Sequence, residues 1–304
     1  MAINVLEYSK IFQEELDKQM VAGSTSGWME PNAQYIKYNG GDEVKVPVMS
    51  TDGLADYDRD DGFVEGSVSL KYKTLTMTQD RGRTFQLDAM DVNETNFVLS
   101  AGNVLGEFQS VHVIPEVDAY RYSRIAAYGI NDGQVTSGYA PAAATVLEKL
   151  RDDLYSIWDE VGDGVDLVIS ISTQVAKILD NSSELQKQLG VTEFKKGEIN
   201  LVVKTIDDVP LIKVPSSRMY TQFLFKDGSG DQKEGGFAPA AGAKAINWLI
   251  TGRKTPMAIS KTDTVRIFDP MTTQKAHAWK IDYRKYHDLW ILPNKIKGIW
   301  VNTK

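Results

Sequence analysis

Apolar residues in the first twenty positions recur at intervals of three and four, and Val5, Tyr8, Phe12, Leu16 and Met20 define one face of a helix that needs a partner. From Gly23 the stretch GSTSGWMEPNAQYIKYNGG mixes glycine, serine and proline with aromatics, Trp28 among them. It reads as an extended arm, since nothing in it builds a core alone. At 44–49, VKVPVM alternates as a half-buried strand does, with Pro47 indicating an edge. A long hairpin follows, with GLADYDRDDGFVEGS as its outgoing limb and VSLKYKTLTMTQDRGRTFQLD as its return. Along the return limb the apolar positions change parity, from Val68, Leu70 and Tyr72 to Leu75, Met77, Phe85 and Leu87. That change predicts a bulge or sharp twist near Lys73 and Thr74. A ribbon this long and this charged cannot be buried in its own subunit, so it should project.

From Asn96 to Tyr128 the period becomes helical, carried by Val104, Phe108, Val111, Val117, Tyr120, Arg124 and Tyr128 and interrupted by Pro115. An interior proline costs about 3 kcal/mol in a regular helix, which predicts a kink or two abutting helices. Beyond Pro141, Thr145 and Glu148 fit a capping box, and Leu147, Leu150, Leu154, Ile157 and Val161 form a stripe that ends at Gly162. DLVISIS at 166–172 is a buried strand, and TQVAKILDNSSELQKQL is one helix or two short ones. INLVVK and PLIKV are strands on either side of Asp207 and Asp208. The glycine- and alanine-rich KDGSGDQKEGGFAPAAGAKA predicts a mobile loop, and after Pro270 the chain returns to strands.

Composition narrows what these elements could do. At 304 residues two domains, or one with long extensions, are expected, and the 42% hydrophobic and 25% charged residues are those of an ordinary globular chain. No apolar run approaches the length of a membrane span, and the N-terminus lacks the basic and apolar blocks of a secretory signal. Without cysteine there is no disulfide framework, thiolate metal site or cysteine nucleophile. A net charge of -7 disfavours a protein that grips nucleic acid by neutralising phosphates, although a local basic patch is compatible with it. Of the three histidines, His112, His277 and His287, no two have the spacing of a helical metal pair.

Candidate chemistry fails in detail. Asp207 and Asp208 are adjacent, so on a strand they would face opposite ways; they fit a turn that Pro210 helps to set. The acidic run Asp56, Asp58, Asp60, Asp61 approaches a calcium loop but has aspartate where that loop needs glycine and Ser67 where it needs glutamate. GSG at 228–230 lacks the third glycine of a dinucleotide turn, GFAPAAGAKA lacks the Gly-Lys-Ser/Thr of a phosphate cradle, and Ser229 has no nucleophile-elbow pattern. The aromatics seldom lie beside lysine or arginine clusters, and KYHDLWILPNK is explained by packing. The sequence therefore yields no catalytic, cofactor-binding or metal residue.

In their order along the chain, an amphipathic N-terminal arm, a projecting charged hairpin, a kinked spine helix carrying VIPEVDAYRYSRIA, an α/β region carrying IDDVPLIKVPSSRM and closing strands carrying YRKYHDLWILPNKIKGIW resemble the major capsid protein of tailed bacteriophages with the Hong Kong 97 fold. The resemblance spans nearly the whole chain and implies an α+β fold. It implies an arm over 1–43, a peripheral-domain strand over 44–54, an extended hairpin over 55–88, a peripheral domain with the spine helix over 89–140, an axial domain over 141–270 and closing strands over 271–304.

The implied function is a subunit of an icosahedral head, without cofactors. Its partners would be many copies of itself in hexamers and pentamers, a separate scaffolding protein and a portal, around double-stranded DNA. It would assemble in the cytoplasm of a bacterial host and remain in the virion. Candidate contacts between subunits are Arg59, Lys71, Arg81, Arg83, Phe12 and Trp28. Some relatives join neighbours by a lysine to asparagine bond; Lys71 or Lys73 and Asn294 are the right residue types, without a matching local motif. An encapsulin-like nanocompartment shell shares the fold, and a soluble α/β enzyme with a metal on the acidic hairpin is the reading from another class.

Overall fold

The computed structural model describes residues 23–35, 37–38, 43–57, 59–60, 62–88, 101–182, 190–196, 199–271 and 277–304. The helix-spaced positions from Val5 to Met20, Phe12 included, lie outside them. In chain order the strands are β1 (Lys37–Tyr38), β2 (Glu43–Thr51), β3 (Val68–Thr76), β4 (Gln79–Asp88), β5 (Val135–Thr136), β6 (Leu167–Ser172), β7 (Gly190–Lys196), β8 (Ile199–Ile206), β9 (Val209–Val214), β10 (Phe223–Phe225), β11 (Phe237–Pro239), β12 (Ile246–Gly252), β13 (Pro256–Phe268), β14 (Ala278–Ile291) and β15 (Ile299–Thr303). The α-helices are α1 (Ala101–Phe108), α2 (Ile114–Asn131), α3 (Val146–Val161) and α4 (Thr173–Asp180).

A mixed sheet of order β5-β15-β12-β6-β9-β8-β7 forms the centre. All six residues of β6 are buried because both faces of the sheet are covered. Leu167, Ile169 and Ile171 pack with Leu147, Leu150, Leu154 and Ile157 of α3. Val168, between them, packs on the other side with Tyr122, Ile125 and Ala126 of α2. The stripe predicted for α3 is thus its core face, ending at Gly162 with φ +84°. The capping box does not form: Thr145 is the N-cap residue, but its hydroxyl pairs with the Tyr139 hydroxyl at 3.0 Å rather than with the helix.

A second sheet, β13-β14-β4, lies against α1 and the start of α2, where Leu105, Val113, Ile114 and Val117 meet Val265, Ile281 and Tyr283. Strand β13 was not anticipated, and with it the closing strands begin at Pro256 instead of after Pro270. Between α1 and α2 the segment Gln109–Val113 is a π turn, and Pro115 sits in the first turn of α2. Widening the turn just before the proline relieves the clash of its ring with the preceding carbonyls, so the spine continues across it.

Two further expectations are corrected. The stretch from Gly23 to Tyr35 is not an extended arm: Gly27–Tyr35 is a 3₁₀ segment, and Trp28 and Met29 are 3% and 1% exposed in the core they share with α2 and β12. The glycine-rich region after Phe223 is a hairpin of β10 and β11 whose loop carbonyls are held by arginines of β4.

Candidate functional site

Strands β2 and β3 pair antiparallel from Glu43 with Thr76 to Thr51 with Val68, while β1 covers only Val44 and Lys45 at the base. Pro47 accordingly lies on a free edge. Directly paired residues of such a ladder project to the same face. On one face Val44, Val46 and Leu75 pack with Met77, Met257, Tyr286 and Trp290 of the body, and Lys73 and Lys71 continue that face beyond it. The other face carries Pro47 and Met49 opposite Tyr72 and Leu70, with Val68 next in line. Met49, Val68, Leu70 and Tyr72 are 64%, 70%, 59% and 50% exposed.

The change of parity on the return limb therefore has a different cause from the one expected. The ladder runs through Lys73 and Thr74 without a register shift. One strand presents two apolar faces, the first to its own body and the second to solvent. Natural sheets seldom leave such a face and two free edges open unless something else covers them.

The tip, 52–67, is acidic. Its neck is closed by Asp52, whose carboxylate accepts from the Ser67 amide at 2.7 Å and hydroxyl at 2.8 Å. Those bonds hold the Asp52 carboxyl below its usual range. Leu54 and Phe63 are fully or almost fully exposed, and Tyr57 packs on Phe63 with ring centroids 4.8 Å apart.

The hairpin leaves the body at a corner formed by Met77 and Thr78. There Asp288 of β14 accepts from the Thr78 amide at 2.8 Å and from the Tyr120 hydroxyl of α2 at 2.6 Å. Burial and the Asp288 charge push the Tyr120 hydroxyl well above its usual range, so it stays a donor. Immediately after the corner, Arg81 pairs with Glu116 of α2 at 2.7 Å and donates to the carbonyl of Lys226 at 2.8 Å. These bonds tie the root of the projecting element to the spine.

A second anchor ties the described N-terminal segment to α2. Asp118 is fully buried, and its carboxylate accepts from the Ser24 hydroxyl at 2.6 Å, the Thr25 amide at 2.9 Å and the Ser26 amide at 3.1 Å. Arg218, in the short turn after β9, completes the set at 2.8 Å. Burial raises the Asp118 carboxyl, and the donors from Ser24, Ser26 and Thr25 more than offset it, leaving it below its usual range. One turn along, the buried Arg121 pairs with Glu30 at 2.7 Å.

No family model matches the sequence, and no curated protein does. Solved structures do match the fold. The mature capsid of bacteriophage PhiM1 aligns with a TM-score of 0.57 at 10% identity, covering 87% of this chain and 82% of that one. The capsid of Staphylococcus phage Andhra aligns at 0.54 and 11% identity over 88% and 82% of the two chains. A virus-like particle from Pyrococcus furiosus aligns at 0.53 and 11% identity over 97% and 99%. The chain has the Hong Kong 97 capsid fold.

Within this capsid fold the six predicted contact residues are dispersed. Arg59 and Lys71 are exposed on the tip and shaft of the hairpin. Arg83 is exposed but donates to the carbonyl of Lys233 at 2.9 Å. Arg81 is engaged by its own subunit, and Trp28 is a core residue of that subunit, so neither is available as a free surface group. Phe12 lies outside the described residues. Sequence reasoning missed Pro47 and Met49, whose signal was their pairing with the residues of anomalous parity.

Asp207 and Asp208 have φ of +49° and +64° and form the two-residue turn joining β8 to β9. Asp207 pairs with Arg151 of α3 at 3.0 Å. A cavity of about 390 Å³ between β4, the π turn and the β10–β11 loop is lined by Arg81, Phe108, Glu116, Tyr283 and His287 among others, with no serine, threonine or cysteine. Among the described residues no group of three histidines or carboxylates is placed to hold a metal ion.

Proposed function

We propose that this chain is the shell-building subunit of an icosahedral phage head enclosing double-stranded DNA, and that it performs no catalysis. The observation that carries the reading is the outward apolar face of the hairpin, Pro47, Met49, Val68, Leu70 and Tyr72, on an element tied at its root to the spine. Elements that cannot cover themselves need sister copies, and copies related by closed symmetry make a container. A subunit held at several points tolerates weak individual contacts, because each raises the effective concentration of the next. The acidic chain suits a wall that must release packaged DNA. A separate scaffolding protein, a portal, assembly in a bacterial cytoplasm and residence in the virion follow from the same reading.

Size-exclusion chromatography with negative-stain electron microscopy of the purified chain tests it. Shells, tubes or capsomer rings are expected; elution as a monomer or small oligomer with none of these overturns it. A nanocompartment shell is the second reading, favoured by the near-complete overlap with the Pyrococcus furiosus particle. The contents of particles isolated from the native source distinguish the two: genome for a head, enzyme for a compartment.

A further inference from the structure

The cavity between β4, the π turn and the β10–β11 loop concentrates buried positive charge at its inner end. Side chains two apart on a strand share a face, and β14 turns Tyr283, Lys285 and His287 toward the cavity. Lys285 and His287 are each 2% exposed. Arg81 is the direct ladder partner of Lys285, so two cations project side by side into the same space. Like charges in that position repel each other, and an anion between them removes the penalty. The Nδ1 atom of His287 is buried with no hydrogen-bond partner among the described residues, and a buried polar atom left so calls for an explanation. Burial, then the charges of Arg121, Lys285 and Arg81, keep this imidazole neutral. All three charges are positive.

We propose that this cavity binds a small aromatic oxyanion such as an aryl phosphate, with Lys285 and His287 donating to the oxyanion and Phe108 and His112 against the ring. The two donors are same-face neighbours about 7 Å apart along the strand, a span that one tetrahedral anion bridges. The carboxylates lining the cavity are engaged elsewhere or exposed. Glu116 is taken by Arg81 at 2.7 Å, Asp80 accepts from Arg284 at 2.8 Å, Asp227 accepts from the amide and hydroxyl of Ser229 at 2.8 Å each, and Glu234 is exposed. The opposite wall is aromatic: Phe108 lies edge-on to Tyr283 at 5.6 Å and tilted to His112 at 5.7 Å between ring centroids. His112 is brought there by the π turn, a wide turn that recurs at functional sites. A volume of about 390 Å³ is that of a small-molecule site. Bound there, the ligand would join the hairpin's root strand β4, the spine and the β10–β11 loop.

Calorimetric titration of the purified chain with phenyl phosphate, and separately with inorganic phosphate, at fixed ionic strength with chloride as the balancing anion, tests the site. The expected result is one phenyl phosphate per chain, bound about tenfold tighter than inorganic phosphate because of its ring, with a Tm that rises with ligand concentration. Lys285→Met keeps the side-chain stem and removes the ammonium, and should weaken both anions by about tenfold or more. His112→Ala, at an exposed position, should weaken phenyl phosphate and leave inorganic phosphate unchanged. No binding heat and no Tm shift, or parent-like affinity in Lys285→Met, overturns the proposal; equal affinity of the parent for the two anions overturns its aryl part. Should Lys285→Met fail to fold, hydrogen exchange of the parent decides: phenyl phosphate should slow exchange at 226–236 and 109–113, and slowing confined to other segments overturns the site. The shell reading is tested by particle formation and is unaffected by any of these results.

Discussion

Asp118 and Arg218 lie one hundred residues apart and form an ion pair at 2.8 Å, the carboxylate fully buried. The pair joins the spine helix to the turn after β9, and the hydroxyls of Ser24, Thr25 and Ser26 with the amides of Thr25 and Ser26 fill the rest of the carboxylate. One side chain thereby holds three distant segments together. Removing one member of a buried, fully bonded pair typically costs about 3–5 kcal/mol, much of it from leaving the partner uncompensated. Asp118→Ala is expected to lower unfolding stability by that order, read as a shift of the urea midpoint at unchanged slope. A midpoint within error of the parent would show that water replaces the carboxylate.

The same carboxyl should mark the acid limit of stability. Its pKa is depressed in the folded chain, so its contribution is fully present above the unfolded value of about 3.9 and is lost as pH falls through the folded value. Stability of the parent should fall faster than that of Asp118→Asn below about pH 4.

His287 acts in a different window. It is almost wholly buried, and desolvation, then the charges of Arg121, Lys285 and Arg81, hold it well below the usual imidazole range; the Tyr120 ring covers it at 5.4 Å. The unfolded chain takes up a proton near pH 6.5 and the folded chain does not, so the unfolded state binds more protons and stability rises with pH. As pH drops below about 6.5 this residue should remove up to about 1.4 kcal/mol per unit. His287→Gln should flatten that part of the profile. An unchanged slope in the variant would assign the effect elsewhere.

Local pattern made much of this fold legible. The α3 stripe, the run in β6 and the turn at Asp207 and Asp208 depend on neighbours within a few residues, and each was visible as spacing. Trp28 misled because its core partners, Tyr122 and Leu249, are far away in the chain, and a window of glycine, serine and proline around it shows none of them. The Asp118 anchor was hidden for the same reason: its serine and threonine donors are residue types found in any loop. Val68, Leu70 and Tyr72 were seen as a change of parity, but a bulge and a second exposed face leave the same trace in one strand. Only the pairing with Pro47 and Met49 separates them.

Arg81 illustrates the consequence for mutagenesis. As a free surface cation it would be a switch for assembly alone, and Arg81→Glu would leave the subunit intact. Its guanidinium instead bridges Glu116 and the Lys226 carbonyl, so the glutamate would face Glu116. The pair is partly exposed, which limits its worth to about 1 kcal/mol. Arg81→Glu is expected to destabilise the isolated subunit by at least that, measured as a lower Tm. A parent-like Tm with failed assembly would return Arg81 to the interface.

Leu70 is the position that separates folding from association. Its side chain is 59% exposed, and its ladder partner Met49 is 64% exposed. No described residue covers it, so Leu70→Asp should change unfolding stability by less than about 0.5 kcal/mol, as surface substitutions do. In an assembled array the same aspartate would be buried in an apolar contact without a partner, at a cost of several kcal/mol at every repeat. On the proposed shell function, where each contact is multiplied over all copies, the assembly threshold should rise steeply while the circular dichroism and Tm of the isolated chain stay at parent values. Normal particles from Leu70→Asp at the parent's concentration would show that the outward face of the hairpin remains open to water in the assembly. The apolar stripe would then need another explanation.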